Sequence, residues 1–497
     1  MYTVSPETIK HADALASEKY GIPELTLMKN AARACFIHVP YSLGSKIVIL
    51  CGKGNNGGDG YKLAAFLKKF TYKVAVINVF DCIPNTETAQ KVYNECIETG
   101  VKILPSDRYS EIIERADVII DALFGIGFHG NIEKDSKIGK MLTLCNSANA
   151  ERIAVDVPSG INSADGTAGD VVFKADITIT MAYIKTGMLS YPAKEYCGEI
   201  KLANIGYPHE LCSEIPKDAL IPDDKYIDEI IPKRELNTHK GTYGRLLMYC
   251  ASENMTGAGV LAANGALRSG CGLINLAGSK ETVNKLQMHL IEPIFSVLSE
   301  DTLSEELVCL SQKATAALCG CGLGVSEKSK EAIISLIKNS SCNIILDADG
   351  INMLCGNTLI LKEARKTPIL TPHPLEFSRL IGKSVDEVQA NRINLAREFA
   401  KEFGCVLVLK GAGTVIASPD GRLAINTSGN PGLAKGGSGD VLAGIIASLC
   451  AQGLSPFDSA AAGVYLHGKA ADLLKKRISE YGFLPSDLPR TVAKLLP

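Results

Sequence analysis

Short apolar runs alternate along the chain with longer stretches whose apolar residues recur at helical spacing. Up to about residue 205 the runs Lys46–Cys51, Val74–Phe80, Asp117–Asp121, Ile153–Val157 and Ile177–Met181 read as strands buried on both faces, with helices at Tyr61–Phe70 and Thr86–Thr99. That alternation predicts a parallel sheet covered by helices on both sides. Pro208, Pro216, Pro222 and Pro232 then punctuate a mixed-charge stretch with little periodicity, expected as a linker or strap. From near Thr238 the alternation resumes. Strands are expected at Leu246–Cys250, Leu273–Ala277, Ala316–Cys319, Asn343–Leu346, Ile369–Leu370 and Val406–Leu409, and helices at Val385–Phe403, Asp440–Ala451 and Asp458–Lys475. The expected fold class is α/β, with two three-layer αβα domains, 1–210 and 236–497, joined by a linker over 211–235.

Composition narrows the function classes. Of 497 residues, 54 are acidic and 52 basic, a near balance that argues against bulk nucleic-acid binding and against a polybasic membrane anchor. Trp is absent, so stacking platforms for single-stranded nucleic acid are not expected. No uncharged apolar stretch is long enough to span a membrane, and the first residues lack the apolar core of a signal peptide. The 16 cysteines are scattered, with Cys319-Gly-Cys321 the tightest pair and no Cys-x-x-Cys. This pattern suits free thiols in a reducing cytoplasm better than zinc ligation or crosslinks.

Candidate chemistry in the first half sits on three loops. Cys51-Gly-Lys-Gly-Asn-Asn-Gly-Gly-Asp-Gly60 follows one strand, with Gly52, Gly54 and Gly57 fitting G-x-G-x-x-G and Asp81 ending the next strand. A tight strand-to-helix turn, with Asp59 complementing the helix dipole, accounts for the glycines equally well. Asn55, Asn56 and Asp59 crowd oxygen donors onto the loop. A carboxylate there repels a pyrophosphate and suits a cation or a hydroxyl-bearing ligand. Asp121-Ala-Leu-Phe-Gly-Ile-Gly127 and Asp156-Val-Pro-Ser-Gly-Ile-Asn162 each place an Asp at a strand's C-terminal end. Such ends converge on the ligand crevice of an open parallel sheet, although Asp there also forms turns.

The motifs GKGNNGGDG, DALFGIG and VDVPSGINSADG resemble the epimerase domain of the NAD(P)H-hydrate repair enzymes. The resemblance implies a Rossmann-like fold, interconversion of the R and S forms of hydrated NADH and NADPH, and a bound potassium ion. It implies that Asn55, Asn56, Gly57, Gly58, Asp59, Gly125, Ile126, Gly127, Phe128, His129, Gly130 and Asn131 hold the hydrate. Asn56, Asp121 and Ser159 would ligate potassium, which their oxygen chemistry suits. Asp156 would contact the reacting ligand and assist loss and return of water or its proton. Lys29 stands where that family has an acid.

In the second half, Gly436, Gly437, Ser438 and Gly439 precede Asp440 and an apolar helical run. Amides aimed from such a helix start form an anion hole for a phosphoryl group, and Asp440 is placed to act as general base towards a hydroxyl. The alternative is a carboxylate that merely complements the helix dipole. Lys410-Gly-Ala-Gly-Thr414 follows a strand and either clasps nucleotide phosphates or makes a turn. His373, held between Pro372 and Pro374, is a candidate ligand contact. Asp347 and Asp349 either hold water or Mg²⁺ or cap a helix.

The segments KGTYGRLL, LDADGIN, TPHPLEF, LKGAGT and GLAKGGSGDVLAG, in that order, resemble the ribokinase-like NAD(P)H-hydrate dehydratase domain over most of 238–497. An epimerase followed by a dehydratase is the arrangement of the bifunctional members. The resemblance implies dehydration of the S-hydrate driven by ADP or ATP with Mg²⁺, giving NAD(P)H, AMP or ADP, and phosphate. Lys410, Gly411, Ala412, Gly413, Thr414 and Gly439 would bind the nucleotide. Ala258, Gly322, His373 and Asp440 would contact the hydrate, with Asp440 catalytic. The expected partners are the small molecules NADHX, NADPHX and ADP or ATP, with no nucleic acid or membrane, in a homo-oligomer. The chain departs from the family at Cys321, Leu375 and Lys435, where Pro, Gly and Thr are usual.

Two rival readings share some of these features. One is a ribokinase-type small-molecule kinase with a ligand sensor in its first half. The other is a dinucleotide-dependent oxidoreductase, against which Asn55, Asn56 and Asp59 count.

Overall fold

The computed structural model describes residues 1–39, 44–70 and 73–497. The chain divides into two units between Ala219 and Leu220, inside the stretch expected as a linker. That stretch is structured: helix His209–Glu214 ends in it, and strand Ala219–Leu220 and helix Asp224–Ile230 follow. Its prolines mark element boundaries, and Leu211, Ile215, Leu220 and Ile227 between them are buried.

The first unit is built on seven strands: β1 (Lys46–Cys51), β2 (Lys73–Asn78), β3 (Lys102–Pro105), β4 (Val118–Ala122), β5 (Glu151–Val155), β6 (Ile177–Met181) and β7 (Glu199–Ala203). Their order is β3-β2-β1-β4-β5-β6-β7, and every pair is parallel. This is the Rossmann order, which reverses direction between β1 and β4 and opens a crevice there. Two apolar clusters flank the sheet, one containing Ile47, Ile49 and Cys51 and the other Val48 and Leu50. The alternation along β1 therefore feeds both faces.

The helix after β1 starts at Asn55, six residues before the expected start at Tyr61, and runs to Lys69. Gly57, Gly58 and Gly60 lie inside its first turns despite their poor helix propensity. Packing explains them. A Cβ at Gly57 would overlap the Gly52 carbonyl, and one at Gly58 would stand 2.7 Å from the Met28 methyl.

The second unit contains β8 (Ala219–Leu220, from its connecting segment), β9 (Arg245–Tyr249), β10 (Leu273–Gly278), β11 (Ile294–Val297), β12 (Ala316–Cys319), β13 (Asn343–Leu346), β14 (Ile369–Leu370), β15 (Val406–Leu409), β16 (Val415–Ala417) and β17 (Leu423–Ile425). The sheet order is β11-β10-β9-β12-β13-β14-β15-β16-β17-β8. It is parallel from β11 to β15, then antiparallel through β16 and β17. The expected helix Val385–Phe403 is broken at Asn391 into Val385–Ala390 and Arg392–Phe403. No helix among the described residues is long and apolar enough to cross a membrane.

Helix Ser438–Ala451 is the central support of this unit. All but two of its residues, Gly439 and Asp440, are buried. It packs on helix Thr256–Arg268 through glycine on both sides. A Cβ at Gly444 would overlap the Ala262 carbonyl, and one at Gly265 would stand 2.5 Å from the Val441 carbonyl oxygen. Gly444→Ala is expected to wedge the pair apart and destabilise the unit by roughly 1–3 kcal/mol, the usual range for overpacking. Chemical denaturation checks this, and an unchanged midpoint contradicts the close approach.

Candidate active sites

In the first unit a cavity of about 580 Å³ opens at the β1/β4 reversal. Its wall includes Asn55, Asn56, Asp59, Gly125, Ile126, Gly127, Phe128, His129 and Asp156, nine of the residues singled out in the sequence. Gly57 and Gly58 lie beneath the turn, packed as described. Gly130 and Asn131 lie off the wall, and Asn131 exchanges two hydrogen bonds with Asp170, at 2.8 and 2.6 Å. Asn55 is tied by its amide to Glu24 (2.6 Å) and accepts from Thr86 (2.6 Å), so it braces the rim. Asp81 is turned away from the cavity, accepting from the backbone and hydroxyl of Ser106.

Asp121 and Ser159 lie under the cavity floor. The Asp121 carboxylate accepts from the Ser159 backbone (2.7 Å) and hydroxyl (2.7 Å) and from the Leu123 backbone (3.1 Å). Burial raises its pKa to about 6 in spite of those donors. Asn56 donates to the Phe124 carbonyl (2.9 Å), while its buried side-chain oxygen has no partner. An orphaned carbonyl-type oxygen near a buried carboxylate is a donor set suited to a hard cation.

Asp156 ends β5 with φ of +67°, a strained turn for a residue with a side chain. Its carboxylate is ion-paired with Lys185, which is fully buried and also donates to Thr180 (2.9 Å) and the Met181 carbonyl (3.1 Å). Gly125 faces it closely: a Cβ there would stand 3.3 Å from Asn56 and 3.4 Å from Asp156 Oδ2. Asp13, Glu24 and Asp59 complete an acidic wall. Burial, with Asp156, Asp13 and Glu24 adding to it, holds the Asp59 carboxyl well above the usual range. Burial also raises Asp13, against a 2.6 Å hydrogen bond from Tyr207. Opposite these acids lie Phe80, Phe124 and Phe128, with Lys53 5.2 Å from the centre of the Phe80 ring.

Sequence reasoning missed Lys185, Asp13 and Glu24. Lys185 had a signal, being the one charged residue between Asp176 and Lys194. Asp13 and Glu24 sit on the first two helices among other surface charges and had none.

In the second unit the loops after β12, β13, β14 and β15 meet the start of helix Ser438–Ala451. Gly437, with φ of +96°, turns the chain into that helix. Asp440, Asp347 and Cys321 bring their side-chain tips within 4.8 Å of one another. Lys410 donates to Asp347 (2.8 Å) and lies 4.0 Å from Glu376, and a Cβ at Gly439 would stand 3.3 Å from its ammonium. Thr371 also donates to Asp347 (2.7 Å). Burial and the Asp347 charge raise the pKa of Asp440 to about 6, Lys410 opposing them. Burial works against the Lys410 charge, but Asp347 and Glu376 outweigh it and raise its pKa. Gly322, with φ of +60°, faces Ala258, whose methyl would be 2.6 Å from a Cβ there.

Four placements differ in kind from simple ligand contact. His373 caps helix Pro374–Ile381, its Nδ1 accepting from the Glu376 backbone (3.2 Å) while Glu376 accepts from the His373 backbone (2.8 Å). Thr414 donates to the Gly411 carbonyl (2.8 Å), closing the 410–414 loop on itself, with Gly411 and Ala412 exposed at its tip. Lys435 points to the carbonyls of Glu480 (3.4 Å), Tyr481 (2.8 Å) and Phe483 (2.5 Å). Asp349 accepts from the Gly324 backbone (2.8 Å). Asp347 is already paired, and a thiol stands beside it, so these groups do not form the oxygen cage of a resident Mg²⁺ site.

Comparison with known proteins covers both units. A model of the NAD(P)H-hydrate dehydratase family matches residues 246–494, and one described as YjeF-related protein N-terminus matches 24–187. A bifunctional NAD(P)H-hydrate repair enzyme Nnr of Moorella thermoacetica is 34% identical over 513 aligned residues, spanning 98% of this chain and 95% of the relative. The enzyme of the same name from Escherichia coli K12 is 33% identical, spanning 99% and 94%. Among solved structures, the Bacillus subtilis ADP/ATP-dependent NAD(P)H-hydrate dehydratase, co-crystallized with ATP/Mg²⁺, is 33% identical with a TM-score of 0.50, covering 56% of this chain and 98% of that one.

The buried Lys185–Asp156 pair gives a test that depends on neither comparison. Lys185→Met leaves a carboxylate without its partner and is expected to cost roughly 3–5 kcal/mol. Adding Asp156→Asn should recover part of that loss. Urea denaturation measures both, and equal stability of wild type and Lys185→Met refutes the pairing.

Proposed function

The chain belongs to the family of bifunctional NAD(P)H-hydrate repair enzymes, and on that premise we propose how its two units divide the reaction. The first unit is the epimerase and the second the nucleotide-driven dehydratase. The observation that carries the reading is the meeting of Asp440, Lys410 and Gly439 at the open ends of the parallel strands.

In the first cavity the reacting carbon of the hydrate bears the hydroxyl that must leave and return. Asp59, whose carboxyl burial and its acidic neighbours push towards the protonated form, supplies a proton to the departing hydroxyl. The ring left behind is cationic, and the acidic wall of Asp13, Glu24 and Asp156 favours that charge. Water adding to the opposite face gives up its proton to Asp156. The aromatic side of the cavity suits a heterocycle at the far end of the dinucleotide. Asn56, Asp121 and Ser159 would hold potassium, and the orphaned Asn56 oxygen supports that assignment. A bound cation there would neutralise Asp121 and stiffen the floor.

In the second unit Asp440 takes the proton from the hydroxyl of the S-hydrate as its oxygen attacks the terminal phosphorus of ADP or ATP. The bond from that phosphorus to the bridging oxygen breaks, releasing AMP or ADP. The phosphate ester then leaves with its C–O bond electrons, and loss of a proton from the neighbouring ring carbon restores NAD(P)H. Mg²⁺ enters as the nucleotide complex. The amides of 436–439 and the Lys410 ammonium face the transferring group. A cytoplasmic setting is supported by the unpaired state of all 16 cysteines.

Asp440→Asn is expected to lower kcat for dehydration by about 10²–10⁴ with little change in nucleotide KM, the range for losing a general base. Recovery of reduced-nicotinamide absorbance from the S-hydrate measures this. Because the base must be ionised, the wild-type rate should fall as pH drops through about 6, where Asp440 takes up its proton. A rate flat from pH 5 to pH 7 would sink the assignment. Asp156→Asn should leave turnover of the S-hydrate intact while turnover of the R-hydrate falls to its spontaneous rate. Wild-type turnover of both epimers in that variant argues against the epimerase role.

A further inference from the structure

Arg392 opens helix Arg392–Phe403 with its side chain directed inward, and it is 1% exposed. Among the described residues no carboxylate pairs with it. Its donors reach neutral acceptors: Gln389 (2.8 Å) and the carbonyls of Leu409 (2.9 Å) and Lys410 (3.2 Å). The buried Nε has no partner. Leu409 and Lys410 are the residues at which β15 passes into the 410–414 loop. Gly411, with φ of +140°, lies directly on the guanidinium: a Cβ there would stand 3.1 Å from NH1. The break at Asn391 that splits the expected long helix is what brings Arg392 to this place.

A buried guanidinium balanced by carbonyl dipoles alone carries unshared positive charge. That charge lies behind a loop whose far side is open. The nearby Asp347 carboxylate is taken up by the Lys410 ammonium and is not paired with Arg392.

We propose that Arg392 is the positioning residue of the nucleotide loop: it pins the two carbonyls at the root of residues 410–414 and sets a fixed positive charge behind them for the phosphates of an adenine nucleotide. This rests on the reading that the loop binds nucleotide. Its role is in binding, since Arg392 lies beneath the loop rather than among the reacting atoms. The guanidinium geometry matters as well as the charge, because two carbonyls are held from one nitrogen.

The test uses the full chain. Arg392→Met should raise the KM for ADP by about tenfold or more, the scale of a lost charge-assisted hydrogen bond, with the KM for the S-hydrate within about twofold of wild type. Arg392→Lys keeps the charge but not the paired carbonyl contacts, so its KM for ADP should lie between those of wild type and Arg392→Met. Should Arg392→Met not fold, Arg392→Lys alone decides: a loss confined to ADP supports the proposal, and a loss shared equally with the hydrate, or no loss, overturns it. Amide exchange of the wild-type loop with and without ADP and Mg²⁺ separates the two levels. Protection of 411–414 in wild type, together with unchanged ADP affinity in a folded Arg392→Met, overturns the role of Arg392 alone. Absence of protection in wild type removes the nucleotide reading and this proposal together.

Discussion

A carboxylate taken out of water must meet a cation, meet hydrogen-bond donors, or take up a proton. Both units are arranged round that constraint, and between them they answer it in all three ways. Asp156 meets Lys185 and Asp347 meets Lys410. Asp121 is surrounded by donors from Ser159 and Leu123. Asp59 and Asp440 are left to proton uptake, with pKa values raised by burial. Asp59 and Asp440 from the last class, together with Asp156 from the first, are the groups assigned to move protons.

The same economy shapes the backbone. Parallel strands end at one edge, and the chain must turn away there while leaving polar groups exposed to the crevice. Asp156, Ala182, Ala251 and Ala348 take positive φ at or just past strand ends, where a glycine would be expected. Each keeps a side chain at a position whose backbone resists one. At Asp156 the retained side chain lines the cavity and is held by the buried ion pair with Lys185.

Much of this was legible before any coordinates. The central strands are buried on both faces, so they read as unbroken apolar runs, and β1, β6, β12, β13, β14 and β15 fall within the expected bounds. The strands that were missed are marginal ones. Lys102–Pro105, Glu199–Ala203 and Ile294–Val297 lie at sheet edges with partly exposed, mixed residues, and Val415–Ala417 and Leu423–Ile425 have three residues each. The site loops were legible because three loops with glycine and acid follow strand ends in one unit, although each alone reads equally as a turn. What stayed hidden were partners from distant sequence. Asp13 and Glu24 look like any helix-surface acids, and Arg392 looks like any helix-surface base, until the fold turns them inward.

Lys435 ties the turn that precedes the anion loop to three carbonyls between residues 480 and 483, and Phe483 fills the space that a side chain at Gly432 would need. Residues 480–483 are therefore a buttress for the turn that leads into 436–439. Substitutions that loosen 480–483 will be felt where the chain turns into helix Ser438–Ala451.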